Sequence, residues 1–359
     1  MAVTAGVALL AALQIAAPAQ LPRTPVSLRV GPQRADLVRY NRVEGLSLGV
    51  RGQIRPETPL GPLSLTATVR LGLADMQPDG ALDLVHESVH DRIVVRGYHE
   101  LTSIDERARD FGLANSLMSL LAGQDLGDYY RRSGATVEWT PPTADPRTFR
   151  LRAFAEYQEG ADRETDAQLP RLWDDQRRFR DNIPAEDGWE VGGSLELTRR
   201  WGLDPFRTRG GAGATFLGAT GDRDFARGSL GGDVTLAFPA HVSLTLEAEG
   251  GTSWGTPSVQ RLWYVGGPLT LRGFEPTAAG GQSFGRARAE LDRAFSFGRV
   301  VLFSDMGWAG DRSDVDLDDA LWSAGLGLAV INGILRIDGA WPLDDPRDFR
   351  VDVYLDQIL

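Results

Sequence analysis

From Tyr40 onward, apolar and polar residues alternate with a period of two in one segment after another, and no later run of about 18 apolar residues could form a membrane helix. Leu63, Leu65, Ala67, Val69, Leu71 and Leu73 alternate with Ser64, Thr66, Thr68, Arg70 and Gly72. Phe149, Leu151, Ala153, Ala155 and Tyr157 alternate with Arg150, Arg152, Phe154 and Glu156. Val242, Leu244, Leu246 and Ala248 alternate with Ser243, Thr245, Glu247 and Glu249. Successive side chains of a strand point to opposite faces, so each segment has one apolar face and one polar face. The segments approach about ten residues, the length at which a tilted strand crosses a bilayer, whereas a soluble sandwich shows this alternation in shorter strands.

The polar faces are charged. Arg286, Arg288, Glu290 and Asp292 share one face of a segment whose other face is Ala287, Ala289 and Leu291. The pattern continues through Val300 to Gly307, through Trp322, Ala324, Leu326, Leu328 and Val330, and through Leu335, Ile337 and Trp341. It ends with Phe349, Val351, Val353 and Leu355 alternating with Arg350, Asp352, Tyr354 and Asp356. Roughly 300 residues of hairpins would enclose too wide an interior to fill with apolar side chains, so the expected arrangement is inverted, with lipid outside and water inside. The fold class is therefore all-β, a transmembrane antiparallel β-barrel. Trp308, Trp322 and Trp341 fall near strand ends, where an interfacial aromatic girdle belongs.

Connections fall into two sets. Phe238 to His241, Ser296 to Gly298 and Asn332-Gly333 are tight, the last a strong hairpin signal. Gly255 to Gly285, Trp308 to Ala320 and Pro342 to Asp348 are long and polar, and Leu101 to Gly127 and Glu159 to Gly188 fall on the same side. A short helix is expected around Ala114 to Leu121. Counting back from the C-terminus to Val43 gives about fifteen strands, and single-chain bacterial barrels have an even number, so about sixteen are expected, the sixteenth within Val26 to Asn41. The alternatives are a miscount near His86 and a total of fourteen.

Location follows from the start of the chain. Ala5 to Ala17 is a short apolar stretch, and Ala17-Pro18-Ala19 resembles a small-residue cleavage site, so residues 1–19 are expected to be a signal peptide. Residues 20–42 form a short N-terminal segment that could supply the first strand, and 43–359 the barrel. The expected place is the bacterial outer membrane, with its lipids as partners. The 49 acidic and 38 basic side chains give a net charge of -11, which argues against nucleic acid as a partner. The absence of cysteine excludes disulfides, thiolate metal sites and Cys nucleophiles.

Gly266-Gly267-Pro268-Leu269-Thr270-Leu271-Arg272-Gly273-Phe274 resembles the signature loop of the BamA/TamA superfamily of outer-membrane assembly barrels, the bacterial surface antigen family, with Leu271 where the family carries Val. Downstream, Gly285 with Glu290 and then Phe303-Ser304-Asp305-Met306-Gly307 are similar to the two strands that follow that loop, and five strands follow it, as in the family. Tyr40-Asn41-Arg42-Val43-Glu44-Gly45 looks like the barrel opening of some members. The resemblance implies a loop folded into the lumen and latched by Arg272, Gly273 and Phe274 against Glu290 and Asp305. Alternation supports the geometry, because both carboxylates lie on inward faces and a guanidinium matches carboxylates with a planar fork of donors.

The resemblance also implies insertion or translocation of outer-membrane proteins or lipids, with client proteins as partners. Members carry periplasmic POTRA domains, for which residues 20–42 are too few. A separate periplasmic partner is then expected, or else a passive pore or structural barrel. No catalytic residue, metal or cofactor is expected. His86-Glu87-Ser88-Val89-His90 spells the zinc metalloprotease pattern, but that motif works on a helix and strand-like sequence follows it. Gly281-Gln282-Ser283-Phe284-Gly285 spells a nucleophile elbow without a later His. Asp311, Asp314, Asp316, Asp318 and Asp319 crowd one loop without EF-hand spacing.

Overall fold

The computed structural model describes residues 26–30, 37–58, 61–105, 110–141, 147–202, 204, 207–331, 335–344 and 348–355. The expected signal peptide and the Asn332-Gly333 turn lie outside these residues. The strands are β1 (Val26–Val30), β2 (Val38–Asn41), β3 (Gly45–Ile54), β4 (Glu57–Thr58), β5 (Gly61–Gly72), β6 (Pro78–Glu87), β7 (Arg92–Ser103) and β8 (Tyr129–Thr140). β9 (Arg147–Gly160), β10 (Gly188–Trp201), β11 (Arg209–Gly221), β12 (Phe225–Phe238), β13 (Val242–Gly255), β14 (Trp263–Val265) and β15 (Ala279–Gly281) follow. The last are β16 (Ser283–Phe295), β17 (Gly298–Gly310), β18 (Leu321–Val330), β19 (Leu335–Pro342) and β20 (Arg350–Leu355). One helix of more than a single turn, α1 (Leu113–Ala122), is found among the described residues.

Each wall strand pairs antiparallel with the next. Both β1 and β2 pair with β3, Val26 opposite Ile54 and Val38 opposite Leu48. They occupy one position in the wall beside β3, and β4 extends β3 along β5. Counted this way, the 18-stranded sheet is a wall of sixteen strands. This is the position that parity demanded between Val26 and Asn41.

The wall is tall in its middle and low at its ends. Strands β9, β10, β12 and β13 each have 14 residues, whereas β19 has 8 and β20 has 6. The outward face is bare and apolar, as at Val69, Leu151, Leu246, Leu302 and Leu326. The inward face buries charge, as at Asp79, Glu156, Glu190, Asp305 and Asp338. A soluble protein would reverse this; the pattern is that of a membrane barrel.

Two belts of exposed aromatics mark its edges. Trp189, Trp254, Trp322 and Trp341 ring the long-loop end, and Trp139, Trp201, Phe238 and Phe295 the short-turn end. Trp308 departs from the expected girdle. It is buried, its indole lying where a Cβ on Gly310 would meet it at 2.8 Å, because that glycine leaves room for the ring to lie flat.

Candidate functional site

The loop between β13 and β16 is shaped by its own residues before it touches the wall. Its stem is the β14–β15 hairpin, with Trp263 opposite Gly281 and Val265 opposite Ala279. The tip closes through Thr270, whose hydroxyl accepts from the Gly266 N–H at 2.8 Å and donates to the Gly266 carbonyl at 2.7 Å. The Gly267 N–H donates to the Phe274 carbonyl at 3.1 Å. Gly266 needs its positive φ of 133°, since a Cβ there would sit 2.1 Å from the Glu275 carbonyl oxygen. Gly273, at φ 87°, brings the tip against Ser323 and Ala340 on the wall, where a Cβ would meet their side chains at 3.4 and 3.2 Å.

This fold carries Arg272 into the wall, where it is fully buried. Its Nε and Nη2 donate to the two carboxylate oxygens of Asp305 at 2.7 and 2.5 Å, and its backbone N–H donates to the same group at 3.1 Å. Nη1 donates to Glu290 at 2.5 Å and to Asp338 at 3.2 Å. The guanidinium carbon lies 3.6 Å from the centre of the Phe303 ring. Three strands, β16, β17 and β19, thus converge on one cation. Burial opposes its charge, but the hydrogen bond and charge of Asp305, with Glu290, raise the guanidinium above its ordinary pKa.

Around it the charges continue in alternation. Arg336 donates to Glu290 at 2.7 Å and to Asp338 at 3.0 Å, and the Tyr354 hydroxyl donates to Asp338 at 2.6 Å. Arg288 donates to the Pro268 carbonyl at 3.0 Å and lies 3.3 Å from Asp305. Arg272, Glu290 and Asp305, expected together from sequence, are together. Gly273 is buried at the tip and Phe274 is half-buried beside it. Asp338, Arg336, Tyr354 and Phe303 were missed, although each lies on the inward face of its strand.

The same loop makes a second attachment that nothing in its local sequence announces. Arg261 donates to Glu156 at 2.8 Å and to Glu190 at 2.8 and 3.0 Å, on β9 and β10. Gln260 donates to Gln158 at 2.7 Å, and Gln158 in turn to Glu156 and Glu190 at 2.8 and 2.9 Å. A third network gathers on the turn between β2 and β3. Arg39 forks onto Glu44 at 2.7 and 2.8 Å and reaches Asp79 at 3.1 Å. Arg42, fully buried, donates to the Gly127 carbonyl at 2.6 Å, Asp128 at 2.9 Å and Asn182 at 3.1 Å.

No family model and no curated protein matches this chain. Among solved structures, it is similar to BamA from Haemophilus ducreyi lacking POTRA domains 1–3, with a TM-score of 0.60 and 13% identity over 92% of this chain and 69% of that one. The fold is BamA-like. In this BamA-like wall, His86 and Glu87 end β6 and Ser88 to Asp91 form a turn, closed by the Ser88 hydroxyl donating to Asp91 at 2.7 Å. The two imidazoles therefore do not share a helix face, which is what that zinc motif requires. Gly281 to Gly285 runs from β15 into β16, a strand where an elbow needs a helix. The aspartates from Asp311 to Asp319 are exposed, and no His, Cys, Asp or Glu group suited to a metal occurs among the described residues.

Proposed function

We propose that this chain is an outer-membrane barrel of the BamA/TamA type, acting in the insertion or transport of proteins or lipids at the outer membrane. Arg272, Gly273 and Phe274 are its loop latch, with Glu290 and Asp305 as the wall side of the catch. The observation that carries this reading is a fully buried Arg272 held by Asp305, Glu290 and Asp338 from three strands. Burying one cation among three carboxylates is costly unless every group is satisfied, and a mere surface loop has no need of it. The work is mechanical. Loop 256–282 is braced in the lumen, and client proteins, with a periplasmic partner to deliver them, use the wall and its seam.

Depletion followed by an inventory of the outer membrane tests this. Loss of specific proteins or lipids from that membrane is expected, and an unchanged inventory would sink the assembly role. A passive pore is the second reading, favoured by a polar cavity of about 560 Å³ inside the wall, lined among others by Arg51, Arg96, Arg132, Asp83 and Glu138. Under that reading depletion changes small-solute uptake and leaves the protein inventory intact.

A further inference from the structure

A barrel wall closes when its last strand pairs with its first, but among the described residues no ladder joins β20 to β1 or β2. What β20 meets across that seam is α1, which also packs on β2. On one side the Tyr40 N–H, directed away from β3, donates to the Ser116 hydroxyl at 2.9 Å. On the other, Gln124 Nε2 donates to the Val351 carbonyl of β20 at 3.2 Å. Two strand edges that would otherwise bond each other are thus capped by side chains of one helical segment.

The helix is polar inward and apolar outward. Asn115, Ser116 and Ser119 are buried, and Asn115 donates to Asp125 at 2.9 Å and to the Asp110 carbonyl at 2.7 Å. Leu113, Leu117, Leu120 and Leu121, spaced to share one face, are 41 to 53% exposed. The helix ends in a left-handed Gly123, φ 70°, whose N–H and that of Gln124 return to the Ser119 and Met118 carbonyls. That turn aims Gln124 at β20. Leu46 and Leu48 on β3 and Val351 on β20 are also exposed and flank the seam on the outer face. The leucines of α1 continue that apolar surface.

We propose that α1 is a piece of the membrane-facing wall, seated in the long-loop half of the seam, with its leucine face against lipid acyl chains. This rests on the membrane-barrel reading. An amphipathic helix is worth keeping at such a place because its apolar face is wetted by hydrocarbon while its polar face satisfies the barrel's interior. Lipid is the occupant because the surface on both sides of the seam faces lipid.

The chain lacks cysteine, so single nitroxide labels can be placed cleanly. Leu117→Cys and Leu121→Cys are labelled in the full-length protein in phospholipid vesicles. Leu302→Cys, on the outer face of β17, is the membrane control, and Val315→Cys, on an exposed loop, is the aqueous control. Heat-modifiable mobility verifies that each variant has folded. Accessibility to oxygen relative to a nickel chelate at Leu117 and Leu121 is expected to match Leu302 and to exceed Val315. A match to Val315 overturns the proposal, and so does shielding from both relaxants, which would mean that protein or a second copy covers the face. If Leu302 itself behaves like Val315, the membrane-barrel reading falls and this inference falls with it.

Discussion

Arg261 and Arg272 stand on one loop yet bind different arcs of the wall, Arg261 holding Glu156 and Glu190 on β9 and β10 while Arg272 holds Glu290, Asp305 and Asp338 on β16, β17 and β19. The loop is therefore a brace fixed at two points. A segment tethered at one end pays full conformational entropy for the other, whereas two buried anchors restrain everything between them.

Removing one partner of a buried pair costs about 3–5 kcal/mol, and Arg272 has no exposure through which solvent could soften that loss. Arg272→Ala is expected to lower thermal stability by about 3 kcal/mol and to raise protease cleavage at the loop tip alone, since Arg261 still holds the stem. Arg272→Lys recovers only part, because an ammonium cannot fork onto Asp305 while also reaching Glu290. Melting curves and limited proteolysis of the folded protein in detergent check both. Wild-type behaviour from Arg272→Ala would remove the latch.

The brace also predicts non-additivity. Arg261→Ala or Arg272→Ala alone leaves one anchor, so single-channel conductance is expected to change little in either. The double variant frees the loop, and conductance is expected to rise well beyond the sum of the single effects, since residues acting on one element couple. Additive conductances would show that the two arginines act separately.

The outer face answers to a different solvent. Leu302→Arg is expected to destabilise the barrel by about 2–4 kcal/mol in bilayers, the cost of a cation on the lipid side near the midplane. Leu317→Arg, on an exposed loop, is expected to cost nothing measurable. Reversible unfolding in vesicles compares them, and equal small effects would mean that Leu302 does not meet lipid.

Asp110 gives a pH dependence outside the strands. Burial pushes its carboxyl up to about 7; the Ser103 hydroxyl works against this, and the charges of Asp105, Asp125 and Asp128 add to it. A carboxyl with a raised folded-state pKa stabilises while protonated, so its contribution is fully present below pH 3.8 and is lost as pH rises through about 7. Asp110→Asn is therefore expected to raise the melting temperature most at pH 8, by a smaller amount at pH 5, and least as pH approaches 3.8. A benefit of the same size at all three values would contradict the titration.

Alternation alone determined the strands, their two faces, the long and short connections and the need for a strand before Asn41. It also placed Glu290 and Asp305 on inward faces, since a period of two assigns every side chain to one side or the other. Asp338 and Arg336 were on the correct face in the same pattern. Only the stagger of the wall decided that they meet Arg272, because which inward residues stand level across neighbouring strands depends on register and tilt. Arg261 sits in a loop with no period to read, so its partners on β9 and β10 came from the chain's path through space. The leucines of α1 mark a helix face in sequence, but a stripe of leucines reads the same whether it meets a core or a bilayer. The tertiary structure put the polar side of α1 against the interior and left its leucines exposed beside β2 and β20.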